Sequence, residues 1–212
     1  MTTFCNTKYK CGLCGHKFIS QAIMSTNTFG SPDLDLRPPE MQRSTMRMWI
    51  AQCPKCGYVH FKIEKNGKKH KSYVKSDDYK TCEGANLLSE LASNFYKCAL
   101  ILLRDDNKKE AYDAFLYAAW ACDDHGDEEG SVLCRNKAIA LYEDNLFKEN
   151  NNLVLRHIDL LRRVGSFRDA IEFCESVQFE DELMKKIAKF QRELSLKEDM
   201  GCYRVIDSES IL

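Results

Sequence analysis

No apolar run in the 212 residues approaches the length needed to cross a bilayer, which excludes a helical membrane protein and leads us to expect no membrane partner. The start, Met-Thr-Thr-Phe-Cys-Asn-Thr-Lys, has no apolar core of a secretory signal. A cytoplasmic protein with reduced cysteines is therefore expected. Charge of one sign is also missing, with 31 Lys+Arg against 32 Asp+Glu and a formal charge of -1. That balance excludes a uniformly basic coat protein, and 44% hydrophobic residues exclude an intrinsically disordered chain. No glycine-rich phosphate loop, G-x-S-x-G elbow or H-E-x-x-H helix occurs. An enzyme is thus the least supported class. Proline is scarce, and its four occurrences all precede residue 55.

What is present divides into two halves. Residues 1–80 hold 14 Lys+Arg and 6 Asp+Glu, a balance of +8, whereas residues 81–212 hold 17 and 26, a balance of -9. The basic half reads as strands and turns. Val59, Phe61 and Ile63 alternate with His60, Lys62 and Glu64, and Asn66-Gly67 predicts a two-residue hairpin turn with Tyr73 and Val74 on the return strand. Residues 28–40 are rich in turn formers, and Pro38-Pro39 excludes regular helix there.

From about Gly84 the apolar period changes from two to about 3.6, the signature of amphipathic helices. Leu87, Leu91, Phe95, Ala99 and Leu102 make one stripe. Ala111, Ala114, Phe115, Ala118 and Cys122 make a second, entered through an Asn107/Glu110 capping box. Val132, Ile139, Tyr142 and Leu146 make a third; Val154, Ile158 and Leu161 make a fourth. Gly165 is expected to stop that fourth helix in the left-handed conformation, with Ser166 capping a fifth that buries Phe167, Ala170, Ile171, Cys174 and Val177. A sixth presents Leu183, Ile187, Phe190 and Leu194, and residues 197–212 are expected to form a loosely held tail. Short connections favour antiparallel neighbours, and residues 165–173 resemble the turn and second helix of a tetratricopeptide (TPR) repeat. A TPR-like array and an ordinary six-helix bundle both satisfy this pattern.

The strongest chemical signal is a pair of C-x-x-C-G units, Cys11-Gly-Leu-Cys14-Gly15 and Cys53-Pro-Lys-Cys56-Gly57, with 38 residues between them. A two-residue spacing turns both sulfurs of a knuckle toward one point, and the glycine tolerates the tight backbone that follows. Two knuckles complete a closed four-sulfur shell, which suits one structural zinc ion and leaves no position for water. Closing a loop of this length costs on the order of 3 kcal/mol. Structural zinc sites bind with roughly 10 to 16 kcal/mol, enough to organise such a segment. A redox C-x-x-C expects one motif at a helix start in a βαβ unit, which neither knuckle has. A rubredoxin-like iron site shares the ligand set. Four thiolates and one zinc lower the charge of the first half from +8 to +6, so it stays basic. His16 and His60, close behind the knuckles, are expected outside the ligand shell. Cys98, Cys122 and Cys174 fall on helix stripes as small core residues.

With these motifs in hand, the chain resembles the bacterial family called domain of unknown function twenty-two twenty-five. The matching residues are the two knuckles with Tyr58, the segment 25–37 with Asp33-Leu34-Asp35, Ala118-Ala-Trp120, and Arg162-Arg163-Val-Gly165-Ser-Phe167-Arg-Asp-Ala170-Ile171. The resemblance implies a split zinc ribbon joined to TPR-like helices, with no reaction attached.

Three further features compete for function. Asp33, Asp35 and Arg37 share one side of an extended segment and form a candidate polar site; the alternative is a turn with an internal ion pair. The acidic run 123–129 fits no calcium-loop spacing and reads as a solvated helix-helix turn. Lys65, Lys68, Lys69 and Lys71, among the aromatics Phe61, Tyr73 and Tyr79, are candidate nucleic-acid contacts; the alternative is a solvated hairpin whose lysines protect an edge strand, or one that docks on the acidic helical half.

The sequence thus points to an α+β protein: a β zinc ribbon with a basic hairpin over residues 1–80, a TPR-like helical domain over 81–196 and a tail over 197–212. Its expected role is that of a non-catalytic zinc-binding adaptor for an unidentified protein partner. A nucleic-acid-binding accessory protein working through the basic ribbon is the alternative, and an enzyme using Asp33, Asp35 or a free cysteine comes third.

Overall fold

The computed structural model describes residues 2–142 and 150–210. It is α+β, with two small antiparallel sheets near the amino end and eight α-helices among the described residues. Strands β1 (Thr3–Lys10) and β2 (Lys17–Ser25) pair in one sheet, β3 (Ala51–Gln52) and β4 (Val59–His60) in the other. The helices are α1 (Glu40–Arg43), α2 (Asp77–Lys80), α3 (Glu90–Arg104), α4 (Lys108–His125), α5 (Glu128–Ile139), α6 (Asn151–Arg163), α7 (Phe167–Ser176) and α8 (Glu182–Leu196). Two compact units result. One comprises Met1–Thr28 and Met41–Cys134, the other Phe29–Glu40 and Arg135–Leu212. The change of hydrophobic period near residue 80 falls inside the first unit, and a segment lying between the knuckles in sequence belongs to the second.

In the first unit α3 and α4 form an antiparallel pair. Ser89 caps α3 by accepting the Ala92 N–H, and Asn107 caps α4 by accepting the Glu110 N–H at 3.2 Å, as the capping signal predicts. Fully buried Ala99, Ala111, Ala114 and Ala118 permit close approach of the helices. Tyr96 and Phe115 then meet edge to face at 5.0 Å. Burying an aromatic such as Phe95 is worth roughly 1.5 to 3 kcal/mol.

The predicted hairpin over residues 59–74 does not form. Strand β4 stops at His60, because Phe61 turns to pack on Phe95 and Tyr117 and the His60 Nδ1 accepts the Lys62 N–H at 2.9 Å. Short 3-10 turns, Lys68–His70 and Tyr73–Lys75, replace the return strand. Gly67 has φ −106 rather than the left-handed value of a two-residue hairpin turn; instead a Cβ there would lie 2.7 Å from the Tyr58 ring. The signal was thus a close approach, not a hairpin turn.

In the second unit α6, α7 and α8 pack on one another around Ile158, Leu161, Ala170, Ile187 and Leu194. Gly165 takes φ +80 between α6 and α7, as expected, while Ser166 makes no side-chain cap bond. Helix α5 ends at Ile139, so Tyr142 lies beyond it and Leu146 lies outside the described residues. Its buried positions are Gly130, Ser131, Cys134, Arg135 and Ala138 rather than the Val132/Ile139 stripe. The expected loose tail is tied down. Tyr203 O accepts the Leu34 N–H at 2.9 Å, Pro32 O accepts the Val205 N–H at 2.9 Å, and Arg162 donates to Asp199 O at 2.5 Å and Gly201 O at 2.8 Å.

Candidate metal centre

Each knuckle is the loop of an antiparallel strand pair. The first joins Lys10 to its partner Lys17, the second Gln52 to Val59. Their backbones repeat the same hydrogen bonds. The Cys11 N–H reaches His16 O at 2.9 Å and the Gly15 N–H reaches Cys11 O at 2.8 Å, while the Cys53 N–H reaches Tyr58 O at 2.9 Å and the Gly57 N–H reaches Cys53 O at 3.0 Å. Gly15 and Gly57 both take φ +73, a conformation strained for any residue with a Cβ.

The result brings all four predicted ligands together. Sγ of Cys11 lies 3.7 Å from that of Cys56, Sγ of Cys14 lies 3.6 Å from that of Cys53, and all four sulfurs lie within 4.8 Å of one another. These separations far exceed a disulfide bond of about 2.05 Å. They approach the roughly 3.8 Å edge of a tetrahedron with metal-sulfur bonds of about 2.3 Å. The donor set therefore fits a closed four-thiolate metal ion. The first cysteine of each knuckle is buried and the second lies nearer solvent.

Burial pushes the Cys11 and Cys56 thiols up. Burial opposes ionisation of Cys14 too, but the His16 backbone amide and the neighbouring thiols outweigh it, so Cys14 lies below the ordinary thiol range. A metal ion entering the cluster must therefore displace protons from Cys11 and Cys56.

Packing around the knuckles is specific. Tyr58, Ile63, Val74, Tyr79 and Ile101 form a core with Cys11, Leu13 and Cys53. Gly12 donates to Ile63 O at 2.9 Å, and a Cβ there would sit 1.8 Å from Lys65 O. Only glycine permits this approach. His16 stacks on Phe18, ring centroids 6.4 Å apart. Buried His60 has its pKa lowered to about 4, because burial strips solvent from the imidazolium and Lys65 repels it. Neither histidine belongs to the four-sulfur cluster.

The candidate nucleic-acid lysines split. Lys65 and Lys69 reach Asp105, the residue that ends α3, at 3.2 and 2.6 Å, beside His70 Nε2 at 2.8 Å. Burial resists ionisation of Asp105, yet the Lys69, Lys65 and His70 hydrogen bonds hold its pKa at about 2. Lys68 and Lys71 are exposed. Periodicity gave no sign of Asp105, since a charged residue just past a helix end reads as solvated.

Asp33, Asp35 and Arg37 are buried within the second unit. They form a turn rather than an extended polar face: Asp33 O accepts the Leu36 N–H, Leu36 has φ +64, and Asp35 accepts the Arg37 N–H at 3.2 Å. Arg163 and Arg135 lie 3.7 and 3.8 Å from Asp35. The acidic run 123–129 is partly structural as well. Buried Asp127 accepts the Gly130 N–H at 2.9 Å and the Leu88 N–H at 3.0 Å, and Gly126 ends α4 at φ +72.

Two matching C-x-x-C-G knuckles thus converge four sulfurs into a cluster that could hold a metal ion, in an α+β protein. A family model described as an uncharacterized protein conserved in bacteria, DUF2225, matches residues 4–196, and the chain belongs to that family. No curated protein and no solved structure matched the chain. No helix among the described residues is long and apolar enough to cross a membrane.

Proposed function

We propose that Cys11, Cys14, Cys53 and Cys56 hold one structural zinc ion and that the protein is a non-catalytic cytoplasmic adaptor whose TPR-like helices bind a protein partner. The convergence of four sulfurs within 4.8 Å carries the reading. A shell filled by protein thiolates leaves no coordination position for water or substrate, and zinc is the ordinary occupant of such a set. The adaptor role draws support from the second unit. Leu183, Leu196, Met200 and Ile206 are each more than two-fifths exposed there and offer apolar side chains to a partner. The left-handed Gly165 turn and the buried Ala170 support the TPR-like description of α6 and α7.

Elemental analysis of the purified chain is expected to show one zinc per molecule, and its absence, or stoichiometric iron, would overturn the zinc assignment. For the adaptor role, a partner captured from the bacterial host in nuclease-treated extract should be lost on Leu196→Glu with Met200→Glu. Capture that ignores these changes would remove the helical surface from the proposal.

A further inference from the structure

None of the 17 residues of the β1–β2 ribbon is buried. Its register sets Tyr9 opposite Phe18, Thr7 opposite Ser20 and Cys5 opposite Ala22 on one face, which is half-buried and sends Tyr9 and Phe18 against the knuckle core. The other face is open apart from half-buried Ile23. It carries Lys10 opposite Lys17, Lys8 opposite Ile19, Asn6 opposite Gln21 and Phe4 opposite Ile23. Ile19 is 63% exposed and Phe4 44%.

The charge carried by the two strands themselves has one sign. Residues 1–32 contain no Asp or Glu, while Lys10 and Lys17 stand directly across the ladder. Like charges in directly opposed positions destabilise a sheet. One carboxylate from outside the strands, exposed Glu64, accepts the Lys10 backbone N–H at 3.1 Å beside Lys8 and Lys17, which leaves the lysines in excess. A second copy of the same face would meet this one with like charge, so self-association is disfavoured. A polyanion relieves the repulsion.

We propose that this open face docks in the major groove of double-stranded DNA. A two-stranded ribbon fits a groove about 12 Å wide, and eight residues of strand extend about 27 Å along it. Lys8, Lys10 and Lys17 supply phosphate contacts at the knuckle end. Asn6 and Gln21, side by side in mid-ribbon, carry the donor and acceptor pair that matches the adenine edge, and Ile19 and Phe4 offer apolar surface to thymine methyl groups. An RNA duplex has too deep and narrow a major groove for this entry. The proposal is independent of the adaptor reading, since it uses a different surface of the chain.

The test uses the full-length, metal-loaded chain and a mixed-sequence DNA duplex of about 20 base pairs, roughly two helical turns. Binding is followed by fluorescence anisotropy between about 50 and 200 mM salt. Three lysine contacts predict a log-log salt slope of roughly -2.7. The combined Lys8→Glu, Lys10→Glu and Lys17→Glu variant should bind about a hundredfold more weakly near 0.1 M salt, with circular dichroism and metal content unchanged. Exposed Lys62, Lys75 and Lys80, changed to Glu together, serve as the control and should leave affinity within about twofold of wild type. Asn6→Ala with Gln21→Ala should reduce preference among duplex sequences while retaining the salt slope. Absence of duplex binding, equal binding to single-stranded DNA, RNA duplex or polyglutamate, or equal loss in the control variant would each overturn the proposal.

Discussion

The phenol oxygen of Tyr79 lies 3.0 Å from the backbone nitrogen of Val59, accepting its hydrogen bond while donating its own proton to Gly57 O at 3.2 Å. Both groups flank the second knuckle, so a side chain from α2 closes the loop that presents Cys53 and Cys56. Tyr79→Phe leaves the buried Val59 N–H without its acceptor, at a cost of about 1 to 3 kcal/mol. We expect a lower melting temperature and faster metal release to a chelator. Release at the wild-type rate would show that the knuckle holds its shape without the phenol.

Cys53→Ser removes a buried ligand from the four-sulfur shell. Metal should be lost and the knuckle core around Tyr58 and Ile63 should loosen, since metal binding and folding are linked. Because α3 and α4 belong to the same compact unit as the knuckles, hydrogen exchange should rise there as well as in the strands. Exchange confined to residues 2–60 would refute that linkage. Helices α6 to α8, with their own core, should stay protected.

Asp105 makes acid stability diagnostic. Its carboxyl falls from 3.8 to about 2, so its stabilising ion pairs are intact above pH 4 and are lost as pH falls toward 2. Asp105→Asn should flatten this part of the acid-denaturation curve. An unchanged acid limb would show that Lys65, Lys69 and His70 contribute no net stability through that carboxylate.

Buried Arg162 donates to Asp159 at 2.6 Å as well as to the carbonyls of Asp199 and Gly201. Arg162→Met strands a buried carboxylate and frees the segment after α8, with a destabilisation of about 3 to 5 kcal/mol. Limited proteolysis should then cut near residues 199–204, whereas wild type resists there. Equal cleavage of both proteins would mean that the Arg162 bonds do not hold the segment.

Gly165 and Ala170 test the turn between α6 and α7. Gly165→Val forces a β-branched residue to φ +80, and Ala170→Leu overfills a fully buried position. Each should cost roughly 1 to 3 kcal/mol without changing metal content. Wild-type melting in both variants would show that the turn tolerates a side chain and the helices are loosely packed.

The four converging cysteines and the helix turn at Gly165 were legible from local signals. A C-x-x-C-G unit specifies its own backbone, because the glycine permits the left-handed turn and the two-residue spacing sets where both sulfurs point. Caps such as Asn107 to Glu110 are legible for the same reason, since three residues suffice to make the bond. The strand predicted beyond His60 failed because alternation records only which residues are apolar. The packing of Phe61 against Phe95 and Tyr117 decided that the chain turns there.

Residues far apart in sequence settled the rest. From sequence, Asp33, Asp35 and Arg37 fit either a polar site or a turn with an internal ion pair; the pairing of residues 32–34 with 203–205 and the nearness of Arg135 and Arg163 make them a buried turn whose cationic neighbours come from distant helices. The tail looked free until Arg162 met the carbonyls of Asp199 and Gly201. Sequence alone determined the four sulfurs, the order of helices and the basic character of the first half, because each is written within a few adjacent residues. Tertiary structure decided which lysines are spent on Asp105 and which stand open on the ribbon, because a charge is neutralised by what lies near it in space.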